Sequence, residues 1–340
     1  MEEKKFDPYQ FIGFILIALI LTWMLYRNGP DEKAAPAQAN TEQVVTTKST
    51  PEVVQVSDSI LQQQKVVAFG DLGNLFVPKI IDNIKITTDN FSVEIDSKGG
   101  QIALFQLDEF ENYEDAPIRL IDQSNADFNI MLTTLDGRIM NTREMYFSPS
   151  LSDLGDSYQL VMKANISKSQ YIAFEYNFPK KGYLHTIRLK TEGMQRILNS
   201  ATPPKLDWKT NTFRNSISID YENRYTEFTF GYEEDRVDYL SLSAEDKETR
   251  EGIRWISYRQ HFFSAILIPD APIPSASLTS INLASDESLD EKFTKSFETT
   301  YPLPLVSGNL NTNLTFYLGP TDYKTLQNLD GDLETSIPMG

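Results

Sequence analysis

The chain has 340 residues, of which 40% are apolar and 23% charged, with a formal net charge of −17. That length suits one large domain or two ordinary ones, and so acidic a surface argues against nucleic acid and anionic lipid headgroups as partners. With no cysteine and two histidines, thiol chemistry, disulfides and a His-rich zinc site within one chain are excluded.

The chain opens on an apolar run. Phe11 to Tyr26 is interrupted only by Thr22, and Pro8, Tyr9 and Gln10 extend it. A helix of about 18–19 residues, at about 1.5 Å per residue, just crosses a hydrocarbon layer of about 30 Å. Tyr9, Trp23 and Tyr26 stand where an aromatic belt would. Glu2, Glu3 and Asp7 balance Lys4 and Lys5, unlike the basic start of a cleaved signal, and the Ala37-Gln38-Ala39 triplet lies well past the run. Residues 1–27 are therefore expected to form an uncleaved transmembrane anchor, touching the lipid bilayer through residues 9–26. Residues 28–65 are rich in Ala, Pro, Gln, Thr and Glu. Without an apolar period they are expected to be a disordered linker, with at most a short helix over Ser59–Gln64.

From about residue 80 the pattern changes to strict alternation. Ile84, Ile86, Phe91, Val93 and Ile95 alternate with polar residues before a Lys98-Gly99-Gly100 turn, and Asp136-Gly137 marks a hairpin. Residues 158–193 predict three strands with turns at Ser167–Ser169 and Lys180–Gly182. Strands recur every 8–15 residues or so without amphipathic crossover helices between them, which predicts an antiparallel sandwich or barrel. The fold class expected is mainly β: one large antiparallel β-supersandwich over 66–326, preceded by the anchor and linker. The aromatic-rich stretch Tyr221, Tyr225, Phe228, Phe230 and Tyr232 reads as strand, building core or covering a sheet face, with the lining of a sugar or peptide groove as the alternative. The acidic clusters at Glu233–Asp235 with Asp238, Glu245–Glu248 and Asp286–Glu291 read as solvated loops. Beyond Gly319-Pro320, Thr321 or Asp322 caps a short helix through Tyr323, Leu326 and Leu329. Residues 327–340 then read as the start of a segment leading elsewhere.

The sequence holds no nucleophile elbow, P-loop, dinucleotide fingerprint, HExxH or calcium loop. No catalytic, cofactor-binding or metal-ligating residue is assigned, and no cofactor is expected. The two histidines are the residues an enzyme reading would use. His185, in "GYLHTIRL", reads as a solvent-facing strand residue. His261, in "WISYRQHFFSAILIPD", reads as part of a core strand, largely buried and hydrogen-bonded. The alternative function is a membrane-tethered carbohydrate-binding or aldose-epimerase-like protein, with His185, His261 and a carboxylate as acid and base.

Four stretches, in order, carry a resemblance. "FDPYQFIGFILIALILTWMLY", "DSKGGQIALFQLDEF", "WISYRQHFFSAILI" and "FYLGPTDYKTL" are similar to the first transmembrane helix, periplasmic-domain hairpin, Gln-His-aromatic strand and pre-core segment of the YidC family. These are bacterial inner-membrane protein insertases of the Oxa-type superfamily, and the likeness is to their Bacteroidetes branch. The resemblance implies a galactose mutarotase-like supersandwich in the periplasm and a cytoplasmic N-terminus at the inner membrane. It further implies a non-enzymatic role in inserting and folding inner-membrane proteins with the Sec translocon, including SecD and SecF. In that family nascent proteins meet a groove formed by five further transmembrane helices. After Tyr26 no apolar run here is long enough to span, so the chain is expected to be a fragment or a truncated version lacking that core.

Overall fold

The computed structural model describes residues 55–337, with 80, 242–243, 290 and 330 left aside; the expected anchor over 1–27 and the linker up to residue 54 lie outside the described residues. Among the described residues no helix is long and apolar enough to cross a membrane.

The first described element is α1 (Gln55–Phe69), running into a 3-10 turn over Gly70–Phe76. It is longer than the short helix expected over Ser59–Gln64, and so takes up the last residues assigned to the linker. The turn is held by burial of Leu72, Leu75 and Phe76. Arg138 donates to the Ala68 carbonyl at 2.6 Å, and Lys65 pairs with Glu144.

Strands β1 to β4 (Ile84–Thr87, Phe91–Ile95, Ile102–Glu111, Pro117–Asp122) form a four-stranded sheet in chain order. Next come β5 (Ala126–Thr133), β6 (Ile139–Asn141), β7 (Ser148–Asp153), β8 (Ser157–Asn165), β9 (Tyr171–Pro179), β10 (Leu184–Glu192) and β11 (Lys205–Phe213). A seven-residue helix, α2 (Ile219–Tyr225), precedes β12 (Glu227–Tyr232), β13 (Arg236–Tyr239), β14 (Glu245–Arg250) and β15 (Ile253–Arg259). The chain continues through β16 (Phe263–Pro269), β17 (Ala276–Asn282), β18 (Phe293–Pro302), β19 (Leu305–Val306), β20 (Asn309–Pro320) and α3 (Tyr323–Gln327).

One sheet of ten strands runs β13-β12-β15-β16-β20-β10-β9-β8-β7, with β19 paired to β20; a third sheet of six runs β14-β17-β18-β11-β5-β6. All pairings between these strands are antiparallel. The four- and six-stranded sheets both pack on one face of the ten-stranded sheet. Phe105 of β3 stacks on His185 of β10, and Trp208 of β11 stacks on Tyr258 of β15 at 3.9 Å between centroids. The expected antiparallel supersandwich is the observed fold.

The local signals act where they were read. At Gly99 and Gly100 φ is +84° and +65°, and a Cβ on Gly100 would stand 3.0 Å from the Phe147 ring. Asp136-Gly137 closes the β5–β6 hairpin, with Gly137 donating to the Thr134 carbonyl. Asp322 caps α3, its carboxylate accepting from the Thr325 N–H at 2.8 Å. Three readings change. Asp238 lies in strand β13, paired with β12. Glu245–Glu248 lies in an edge strand, where charge discourages pairing with another chain. Asp286 caps the 3-10 turn Glu287–Leu289.

The outer face of the ten-stranded sheet is also covered. Trp255, Ile266 and Tyr317 point away from the main core, and Leu326 and Leu333 pack on them. The segment read as leading elsewhere from 327 thus turns back across β12 and β15 as far as Ile337. Gly231 makes room for this arrangement: a Cβ there would meet the Trp255 indole nitrogen at 2.4 Å. Leu333→Ala is expected to cost about 2–4 kcal/mol in urea unfolding of the full chain in detergent, with a red shift of Trp255 emission as water reaches the indole. An unchanged emission maximum would show that the segment does not seal that face.

Candidate interaction surface and its buried polar support

The stretch "WISYRQHFFSAILIPD" is two strands, not one. β15 ends at Arg259, Gln260 donates its N–H to the Phe263 carbonyl at 2.7 Å, and β16 begins at Phe263. Arg259 closes β15, and Gln260, His261 and Phe262 form a hairpin turn. The signal available in the sequence was length, since sixteen residues are too many for an ordinary strand.

Opposite this turn lies α2, an element the aromatic pattern concealed. Ser218 caps it by accepting from the Tyr221 N–H, and Asp220 and Glu222 sit in its first turn, where negative charge suits a helix N-terminus. Glu222 turns inward and is 1% exposed. Its Oε2 accepts from the backbone N–H groups of Asn215 and Ser216 at 2.7 and 2.8 Å, while Oε1 is buried without a partner. Burial raises the Glu222 carboxyl above the usual range, against the pull of those two donors. The Asn215 side chain donates to Gln260 Oε1 at 2.9 Å. The loop, the helix and the hairpin turn are thus joined through buried amide and carboxylate groups.

Beneath the turn, Glu227 of β12 and Arg259 of β15 face each other in register and pair at 2.6 Å, both nearly buried. Lys295 of β18 is also buried. Burial lowers its amine to about 8; Glu227 opposes that shift and Arg259 adds to it.

The two histidines exchange the places expected of them. His185 is not solvent-facing: it is 1% exposed and stacks on Phe105, Phe178 and Phe316 at 5.3–5.8 Å between centroids. Burial lowers it to about 3, with the Tyr183 backbone acting weakly in the other direction. No side chain hydrogen-bonds either ring nitrogen. His261 is not a buried, hydrogen-bonded core residue. It is half-buried at the hairpin tip, stacked on Tyr225 at 4.5 Å and against Tyr221 and Phe262, and its Nδ1 has no partner. Partial burial and then the Arg259 charge lower its pKa. The structure does not bring the two imidazoles to one cleft with a carboxylate. Among the described residues no three His, Cys, Asp or Glu side chains gather as metal ligands.

What reaches the surface at this end of the sandwich is aromatic. Tyr221, Tyr225 and Phe262 are exposed beside His261, and Ile217 is 82% exposed. Tyr221 and Tyr225, read as strand residues, stand one turn apart on a helix with centroids 5.1 Å apart. Phe228 and Phe230 do enter the core. Next to the patch lies a groove of about 550 Å³ lined by Phe110, Tyr113, Asn215, Phe262 and Phe263 among others.

The class of protein defined here is a large two-layer antiparallel β-sandwich module with an aromatic surface patch. The chain belongs to the family described as the YidC periplasmic domain, whose family model matches residues 83–340. Among its relatives, the membrane protein insertase YidC of Parabacteroides distasonis is 26% identical over 362 aligned positions, covering 98% of this chain and 56% of the relative. The insertase of Porphyromonas gingivalis is 27% identical, covering 95% of this chain and 53% of the relative. The chain therefore spans about half the length of the curated relatives it matches. Among solved structures, the periplasmic domain of Thermotoga maritima YidC aligns with TM-score 0.36 and 11% identity, covering 77% of this chain and 98% of that one. A putative aldose 1-epimerase from Escherichia coli K12 aligns with TM-score 0.44 and 12% identity, covering 70% and 98%.

Proposed function

We propose that this chain is the anchored periplasmic part of a YidC-type insertase and aids insertion and folding of inner-membrane proteins without catalysing a reaction. The observation that carries this reading is the family match over residues 83–340. On this reading residues 1–27 span the inner membrane with the N-terminus in the cytoplasm, residues 28–65 connect, and the β-domain stands in the periplasm. The domain works beside the Sec translocon, including SecD and SecF, while nascent membrane proteins are handled by transmembrane helices outside this chain. The large acidic domain (net −17 for the chain) follows the anchor as an exported domain can, regardless of the weak charge bias of Lys4 and Lys5.

Because the chain has no cysteine, single cysteines report topology cleanly. In intact spheroplasts, a Lys247→Cys chain is expected to react with a membrane-impermeant maleimide, and a Glu3→Cys chain only after lysis. Depletion of the protein in its host should slow insertion of inner-membrane proteins. Unchanged insertion on depletion would refute the insertase role, and reversed labelling would refute the orientation.

A further inference from the structure

The segment covering the outer face of the ten-stranded sheet is tied to itself rather than to the sheet. It consists of α3 and a 3-10 turn over Leu333–Ser336, with Gly331 and Asp332 between them at φ +101° and +56°. Among the described residues, the hydrogen bonds of Thr325–Ile337 all close within 322–337. Leu326 donates to Asp322, Leu329 to Leu326, Thr335 to Asp332 and Ile337 to Glu334 through the backbone, and the Ser336 hydroxyl donates to Leu333. Thr321 is the last residue bonded to a strand or its turn, through its N–H to the Phe262 carbonyl and its hydroxyl to Ser264. Beyond it, Leu326 and Leu333 hold the segment by burial on Trp255, Ile266 and Tyr317. Helices of five and four residues are too short to persist alone.

The sheet under this strap carries polar groups with no partner. The Leu333–Ser336 turn lies over β12 and β15. There the Trp255 indole nitrogen, the Ser257 hydroxyl and the Thr229 hydroxyl make no hydrogen bond, in residues 1%, 0% and 4% exposed. Trp255 and Ser257 stand two apart on β15 and share its outer face, and Ser257 is directly opposite Thr229 of β12 and Ile266 of β16. An indole N–H can only donate, so this strip asks for acceptors. Donors two residues apart on a strand are spaced by about 6.6–6.8 Å. Carbonyls of short helices rise by about 1.5 Å per residue along one axis and do not match that spacing. An extended peptide does match it, since its carbonyls on one side recur every second residue.

We propose that residues 322–337 are a displaceable strap and that the face beneath them binds an extended, uncharged peptide with apolar side chains. Its side chains take the places of Leu326 and Leu333 on Trp255, Ile266 and Tyr317. Its carbonyls accept from the Trp255 indole and the Ser257 hydroxyl, with Thr229 alongside. Ile266, Leu326 and Leu333 offer no counter-charge, so a charged residue at these places would be buried at a cost. Strap and peptide exclude each other, so binding is coupled to opening at Thr321. The inference stands on the described fold and uses neither the anchor nor the insertase reading.

The test uses the full chain in detergent and a short dansyl-labelled peptide of alternating leucine and threonine; the control peptide has serine for every leucine. In hydrogen exchange of the parent, excess leucine peptide should speed the amides of 326–337 several-fold and leave those of β12, β15 and β16 unchanged. Unchanged strap exchange at peptide saturation would overturn displacement. By fluorescence anisotropy, a chain with Leu326→Asp and Leu333→Asp should bind the leucine peptide at least tenfold more tightly than the parent. Equal binding by the two chains, with parent-like β-sheet circular dichroism, would overturn the strap as competitor. Adding Ser257→Ala and Trp255→Phe should weaken binding by about threefold to tenfold for each donor removed. Binding unmoved by both changes, or equal binding of the control peptide, would overturn the strip as the site.

Discussion

Glu227→Gln is expected to lower the stability of the sandwich by about 3–5 kcal/mol, the usual range for removing one partner of a buried ion pair. Glu227 is the carboxylate that two buried cations feel: Arg259 at 2.6 Å, and Lys295, whose amine Glu227 holds up against burial. Arg259 cannot shed its proton, so without Glu227 its charge is left uncompensated between the sheets. Urea unfolding at neutral pH measures the loss, and a change below about 1 kcal/mol would reject the argument. Lys295→Met is the informative companion. In the fold Lys295 titrates near 8, against about 10.4 in an unfolded chain. Between those values the unfolded state holds the extra proton, so this group makes stability rise as pH increases from about 8 to 10.4. Below 8 the full cost of the buried charge is present. The methionine variant should lose that rise and be at least as stable as the parent at neutral pH.

His185→Phe is expected to make the domain more stable than the parent in acid, by on the order of 3 kcal/mol at pH 4, and similar to it or slightly weaker near pH 8. His185 is a ring among rings, between Phe105, Phe178 and Phe316, and burial lowers it to about 3. An unfolded histidine takes its proton near 6.5. The native state therefore loses stability from this group as pH falls from about 6.5 to about 3, and keeps all of it above 6.5. Phenylalanine has the packing without the proton. Unfolding free energies at several pH values should show the two curves diverging below pH 6.5; parallel curves would mean that His185 meets water in the fold. His261→Phe serves as the comparison, because that ring is only half-buried.

Much of this architecture is legible along the chain. β8, β9 and β10 are separated from one another by the turns at Ser167–Ser169 and Lys180–Gly182, and the Asp136-Gly137 hairpin and Asp322 cap lie where their residues point. These features are local: strand alternation has a period of two, a left-handed turn needs glycine, and a cap is made within three residues. The site was less legible. Tyr221 and Tyr225 share a spacing with the strand that follows, and only the Ser218 cap and Asp220 marked α2 as helix. The turn in "WISYRQHFFSAILIPD" is also held from afar, since Gln260 accepts from Asn215, 45 residues away.

The sequence by itself determined that the chain is an antiparallel β-rich domain following an apolar run, because side-chain periodicity and turn chemistry are set by near neighbours. Only the tertiary structure decided that His185 is sealed and His261 stands at a surface, that Glu227 compensates two cations, and that residues 323–337 cover Trp255. Each of these is a statement about dielectric surroundings and shared faces. Those come from sheets laid together across long stretches of chain, and no window of sequence contains them.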